Sequence, residues 1–458
     1  MGIFSSLKRE QKEAIGLLQV GTFLEYFDLM LYVHMAVLLN ELFFPKTEPH
    51  TAALLAAFAF CSTYVMRPFG ALIFGYIGDH IGRKTTVIIT TMMMSLSCII
   101  MATLPTYAQI GITASWIVTL CRVLQGLSSM GEIIGAEIYL TEIIKIPIRY
   151  PIVSLIAVFS IVGSIFALVV GSLFTMTGFD WRIAFWIGAG VAMIGSAART
   201  RLRETYDFVD MKRRMKRNIQ EAEVDGLGKA ANLLKSTNPI WKEKINKKTA
   251  LAYFAIQCGW PVSFYFTYIY CGNILKNNFN YTAEGIIHHN LLVSITQFIG
   301  FLILTFLCCK IFPLKILKAK VFLFLPIIFA LPYLLSNSYM TPFAIFLIQS
   351  FCAISGPVMH PAPAVFLIHF PIFKRFTSVS FIYALSRSLV YVVTSFGLVY
   401  LGTWLGTWGI CFILLLTTIG FLWGVLHFEK LERSFETPSQ KLSPKLSSSL
   451  SPVAEGAA

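Results

Sequence analysis

The residues best able to do chemistry in this chain are charged groups set inside apolar runs. Glu25-Tyr-Phe-Asp28 puts two carboxylates three residues apart, near the middle of a run at about 14–40. On a helix that spacing places both on one face. Like charges in a low dielectric repel, and a proton taken up by one relieves the repulsion. That is the behaviour of a proton carrier; the same pair would also serve to neutralise a buried arginine. The fourth run carries Arg122, Glu132 and Glu137, with Glu142 at its end. Arg122 could hold Glu25 or Asp28 ionised until a substrate or proton displaces it, or form a static ion pair between the first and fourth helices. Arg387 stands in a late run, and no Asp or Glu occurs between Glu284 and Glu429. A charge at the bilayer centre costs at least roughly 2.5–3.5 kcal/mol, so it faces a partner or a cavity. Arg387 therefore calls for an anion, supplied by the first half of the chain or by a substrate, unless it snorkels to lipid headgroups.

Three further segments have chemical potential. Gly75-Tyr-Ile-Gly78-Asp79-His80-Ile81-Gly82-Arg83-Lys84 reads as a tight turn whose glycines permit close backbone approach and whose Asp79 can accept hydrogen bonds from Arg83 or from a helix N-terminus. In Gly356-Pro-Val-Met-His360-Pro-Ala-Pro363 the prolines break a helix and free carbonyls that could line a cavity. His360 there is a proton site or, more simply, a histidine bonded to a freed carbonyl. The aromatic run from Trp260 to Tyr270, with Tyr265 and Tyr268, could stack on a quaternary ammonium or form an interfacial belt.

The elements that position these groups are membrane-crossing helices. Of 458 residues 56% are hydrophobic and 13% charged, against about 25% charged in soluble chains. Apolar runs of about 20 residues, the length that crosses a bilayer, recur at about 14–40, 52–77, 85–105, 113–140, 151–176 and 182–200, then at about 249–272, 286–309, 321–337, 341–370, 379–402 and 404–427. This predicts an all-α polytopic membrane protein with twelve transmembrane helices in two six-helix bundles. The divisions are 1–200, a basic linker at 201–248 with a helical stretch, 249–428, and a Ser/Pro-rich disordered tail at 429–458. With both termini in the cytoplasm, the external loops hold three basic residues, Lys46, Arg182 and Lys276, and the spans hold Arg67, Arg122 and Arg387, which leaves 31 of the 37 inside. The net charge of +14 is thus a positive-inside signal and not a nucleic-acid surface. All nine cysteines fall in spans without metal-ligand spacing, so no metal or cofactor is expected. No nucleophile–base constellation suggests an enzyme. Two six-helix halves have the form of transporters that bind substrate between the halves near the midplane.

On these residues the chain resembles the major facilitator superfamily. Gly75 to Lys84 is similar to its signature between spans two and three, and Arg122-Val-Leu-Gln125-Gly126 to its fourth-helix signature. More narrowly, residues 15–208 resemble the metabolite:proton symporters, which include proline/glycine-betaine, 2-oxoglutarate, shikimate and citrate carriers. The carrying residues are Glu25-Tyr-Phe-Asp28, Phe43-Phe44-Pro45, Arg67-Pro68-Phe69-Gly70, Gly131-Glu132, Trp181-Arg182-Ile-Ala-Phe185 and Arg201-Leu-Arg-Glu204-Thr205. Among the members, the proline/glycine-betaine carriers stand nearest. The second half departs more: the turn between spans eight and nine, Lys310 to Lys318, has no acid and no glycine, His369 stands where an acidic residue is common, and Arg387 sits where the family has an apolar one; in the first half Glu137 replaces a small neutral residue.

The resemblance implies proton-coupled symport of a small polar metabolite, of the proline/glycine-betaine type, across a bacterial inner membrane by alternating access. The alternative is an organic-acid symporter or exchanger; a non-transporting sensor is a third class. Glu25, Asp28, Arg122 and Glu132, with Arg387, would form the coupling and substrate centre, and Tyr265, Tyr268 and His360 would line the cavity. Gly75, Asp79, Gly82, Arg83 and Glu142 would form the cytoplasmic gate, with Asp79 bonding near the start of the eleventh span around Ser378–Ser380. The partners implied are a small-molecule substrate, protons and the lipid bilayer.

Overall fold

The computed structural model describes residues 7–45, 49–176, 180–199, 244–335 and 340–446, and all that follows concerns these. The side chains of Asp28, Arg83 and Glu132 lie outside the described set, as does the linker from 200 to 243.

Lipid offers the backbone no hydrogen bonds, so apolar runs satisfy themselves as helices. The first half comprises α1 (Arg9–Phe43), α2 (Pro49–His80), α3 (Arg83–Thr103), α4 (Ile112–Ile143), α5 (Arg149–Met176) and α6 (Arg182–Arg199). In the second half α7 runs through Lys247–Phe264, a π-helical turn at Tyr265–Tyr270 and Cys271–Phe279. It is followed by α8 (Ala283–Leu307), α9 (Pro313–Leu334), α10 (Pro342–Ser355), α11 (Ile372–Leu405) and α12 (Trp408–Leu446). Local chemistry sets the starts. Asn246, Thr282 and Thr341 cap α7, α8 and α10 with side-chain oxygens. Pro313 and Pro342 occupy first-turn positions, where the missing N–H is not needed. Among the described residues seven helices are long and apolar enough to cross a membrane. Of the others, α7 is interrupted by its π turn, α9 carries Lys315, Lys318 and Lys320 near its start, and α10 stops at Gly356-Pro357.

Helix pairing repeats between the halves. In the first, α1 packs on α5, α2 on α4, and α3 on α6; in the second, the equivalent pairs α7–α11, α8–α10 and α9–α12 are present beside a more extensive seam of α7 on α12. Between halves, α2 lies along α11 and α5 along α8. The twelve helices thus form two bundles with one packing scheme, the two-bundle fold expected from the sequence.

The hydrophobic cores show where the bundles meet. One cluster joins both halves at the end carrying the chain termini, with Leu18, Ile138, Tyr139 and Val153 from the first and Tyr253, Phe366, Phe370 and Phe376 from the second. Toward the other end each half has a core of its own, with Leu39, Phe43, Val118 and Phe185 in the first and Val262, Leu275, Leu331 and Ile410 in the second, and Phe264 of the second half also packs on the first core. The halves are sealed at the terminus-bearing end and part toward the other.

The tail differs from expectation in one respect. α12 continues to Leu446, past the boundary near 428 expected from the Ser/Pro content. Side-chain contacts hold its extension: Lys318 pairs with Glu429 at 2.8 Å and His369 Nε2 meets Glu432 Oε1 at 2.7 Å, while Arg433 pairs with Glu429 at 3.0 Å within the helix itself. Residues 447–458 lie outside the described set.

Candidate functional site between the two halves

A cavity of about 250 Å³ lies where the bundles part. From the first half Tyr26 of α1, Glu137 of α4 and Ser160 and Ser164 of α5 reach it; from the second come Gln257, Trp260 and Tyr268 of α7, Asn290 and Gln297 of α8, His360, and Tyr383 and Arg387 of α11.

Arg387 is 5% exposed and turns inward. Its guanidinium carbon sits 3.5 Å from the Tyr383 ring centroid and 4.9 Å from that of Trp260, and Nη1 donates to Gln257 Oε1 at 3.1 Å. Its Nε has no hydrogen-bond partner. Glu137, equally buried, is a first-half carboxylate within electrostatic reach of Arg387, and its Oε2 likewise has no hydrogen-bond partner. Arg67 of α2 is buried too, stacked 4.4 Å over Tyr64, which packs 4.4 Å from Tyr391 of α11. The charges of both arginines act on Tyr26 and Tyr391. The site therefore has charges of both signs in an aromatic setting, contributed by both halves.

Glu25 and Arg122 are buried, at 3% and 1% exposure, on α1 and α4, but neither lines the cavity. Asp28 and Glu132 belong to the same two helices, with side chains outside the described set. Tyr268 lines the cavity, its hydroxyl donating to Gln297 Oε1 at 2.9 Å. Tyr265, expected on the same wall, packs instead against the second half's own core. Trp260, Phe264 and Tyr268 follow one another at every fourth residue, their successive ring centroids 5.1 Å apart, and that stripe faces the cavity while Tyr265 falls beside it.

His360 also lines the cavity, but its ring does not bond a carbonyl freed by its own helix break. It stacks on Phe301 at 4.1 Å, and Nε2 meets the Phe301 carbonyl at 3.1 Å. The carbonyls of Val358 and His360, released by the prolines, accept instead from Lys320 Nζ at 3.3 and 3.0 Å. Lys320 is 5% exposed. The sequence hides this role, because Lys320 reads as one more inside-positive charge beside Lys315 and Lys318.

At the sealed end Asp79 bridges the halves. Its Oδ1 accepts from the Phe376 N–H at 3.2 Å, and Oδ2 from the Thr377 N–H at 2.8 Å and hydroxyl at 2.7 Å. These partners lie just before the Ser378–Ser380 stretch. Gly75 makes the approach possible: a Cβ there would sit 2.7 Å from Thr377 Cα. Gly82, at φ 148°, turns the chain from α2 into α3. Glu142 pairs with Arg375 at 3.1 Å, a second buried link between halves that the sequence had not assigned to Arg375. Charge-assisted hydrogen bonds contribute about 1.5–3 kcal/mol each, so Asp79→Asn is expected to loosen this end. In a background without native cysteines, Ser160→Cys in the cavity should label faster from the terminus-bearing side once Asp79→Asn is added. Equal labelling with and without Asp79→Asn would remove the latch reading.

Residues 18–395 match the model of the Major Facilitator Superfamily. The proline/betaine transporter of Salmonella typhimurium is 30% identical over 300 residues, 64% of this chain and 57% of that protein. The proline/betaine transporter of Escherichia coli is 28% identical over 298 residues, with the same coverage. The matched segment thus spans little more than half the length of these relatives. The proton:xylose symporter XylE has the same fold, with a TM-score of 0.71 at 14% identity over 92% of this chain and 95% of that one.

Proposed function

The chain belongs to the Major Facilitator Superfamily, and we propose that it is a secondary active transporter that carries a small polar metabolite together with a proton by alternating access. The observation that carries this reading is the cavity between two bundles sealed at one end, with Glu137 and Arg387 contributed from opposite halves. Rocking the bundles about such a cavity exposes it to each side in turn. The substrate is a compatible solute of the proline/glycine-betaine kind: it carries a carboxylate for Arg387 and a positive nitrogen for Glu137, and the relatives named above support that class. Glu25 and Asp28 of α1 carry the coupling proton, with Arg122 and Glu132 completing the polar centre. Asp79, Glu142 and Arg83 latch the cytoplasmic side. The protein sits in a bacterial inner membrane with both termini inside, an orientation that the 31-to-3 distribution of basic residues supports.

The inward-turned Arg67 and Arg387, each with an Nε lacking a hydrogen-bond partner, favour an organic acid as the second reading. Uptake into proteoliposomes separates the two. Labelled proline, glycine betaine and dicarboxylates are offered with and without an inside-alkaline pH gradient. Concentrative uptake of a zwitterion that collapses with the gradient is the expected result; uptake of dicarboxylates alone, or no dependence on the gradient, would overturn it.

A further inference from the structure

Glu137 and Arg387 are buried charged residues of opposite sign contributed by opposite halves, and they share one cavity. Each is about 95% buried, each has a polar atom without a hydrogen-bond partner, and no salt bridge joins them. Desolvated groups in that condition are costly unless something else bonds them. Arg387 offers donors and Glu137 offers acceptors, so a solute that satisfies both has an acceptor at one end and a donor at the other.

We infer that Glu137 and Arg387 form a bipolar subsite for a zwitterion whose nitrogen bears at least one N–H: the solute carboxylate docks on Arg387, and the ammonium donates to Glu137. The inference rests on the transport reading above and narrows it, because it separates amino-acid-like solutes from fully methylated betaines. A quaternary ammonium has the charge but no donor, and leaves the Glu137 oxygen unbonded. A site built around a hydrogen bond rejects the analogue that lacks it far more strongly than an apolar pocket does.

The competing attraction is cation–π, which would favour a quaternary nitrogen on the aromatic wall. The ring faces are largely taken. Trp260 has the Arg387 guanidinium at 4.9 Å and stacks on Phe264 with 18° between the planes. Phe264 also packs on Tyr268 at 5.1 Å, and the Tyr383 ring holds Arg387 at 3.5 Å. Each ring of this wall is already engaged by another ring or by Arg387, while Glu137 still has an oxygen to offer.

Proline, N-methylproline and N,N-dimethylproline test this directly. Ring, carboxylate and net charge are constant, and the N–H donors number two, one and none. The full-length protein in proteoliposomes should bind or transport the series with falling affinity, by about tenfold or more from first to last. Glu137→Leu, which removes the acceptor at similar volume, should flatten the series. A flat or rising series in the unaltered protein overturns the inference and leaves the transport reading standing. If none of the three competes while dicarboxylates do, the compatible-solute reading falls and takes the inference with it. The series in the unaltered protein decides the matter even if Glu137→Leu fails to fold.

Discussion

Arg387→Leu is expected to abolish uptake, by a factor of about 10² or more, with the protein still inserted and folded. Arg387 sits among Gln257, Tyr383 and Trp260, so its guanidinium is already oriented before any solute arrives. A carboxylate docked on it gains up to two charge-assisted hydrogen bonds in one plane. At about 1.5–3 kcal/mol each, losing both costs about 3–6 kcal/mol, and every 1.4 kcal/mol is tenfold. Arg387→Lys keeps the charge and loses the planar fork, so a fall of about tenfold is expected. Arg387→Leu also takes from the cavity the positive charge that acts on Glu137. Arg387→Leu combined with Glu137→Leu restores neutrality, and the double variant should fold as well as the unaltered protein while remaining inactive. The measurement is initial-rate uptake normalised to monodisperse protein. Normal rate and affinity with Leu at 387 would show that the side chain serves packing alone.

The route from sequence to this site shows what one chain makes legible. Charge inside apolar runs identified Arg387, and the lack of acids between Glu284 and Glu429 pointed to an anion from the first half or from a substrate, unless the side chain snorkels to headgroups. Which carboxylate supplies it depends on how α4 is rotated against α7 and α11. Glu137 reaches the cavity, and no spacing rule expresses that rotation. The pairing repeated between the halves was not visible in the residues either, because packing conserves which helices touch and not which side chains they bear. Tyr265 was misplaced because a π turn at Tyr265–Tyr270 sits in a run that reads as uninterrupted helix. Lys320 was counted with the surface lysines because the demand for it lies on another helix, in carbonyls that the prolines of Gly356–Pro363 set free. Asp79 was the easier case. A carboxylate flanked by glycines needs a helix terminus, and α11 provides one within two residues of the expected place.

Glu25→Gln is expected to abolish accumulation driven by the proton gradient while exchange of internal for external solute survives. Glu25 is 3% exposed on α1, one residue before Tyr26, which lines the cavity and feels both Arg67 and Arg387. A proton gained or lost there changes the field beside the solute without occupying its place, which is the arrangement coupling requires. One proton per zwitterion moving down a gradient of one pH unit and 100 mV supplies about 3.7 kcal/mol. That supports accumulation of several hundred-fold. A variant that cannot load the proton still rocks and still exchanges, but its internal and external concentrations level out, so the largest measurable effect appears in the plateau and not in the exchange rate. Asp28→Asn is the companion test, since Glu25 and Asp28 lie three residues apart on one face of α1. If both single variants reach the plateau of the unaltered protein under the same gradient, the coupling proton does not travel on α1. Glu137, a buried first-half carboxylate that lines the cavity itself, is then the residue to neutralise next.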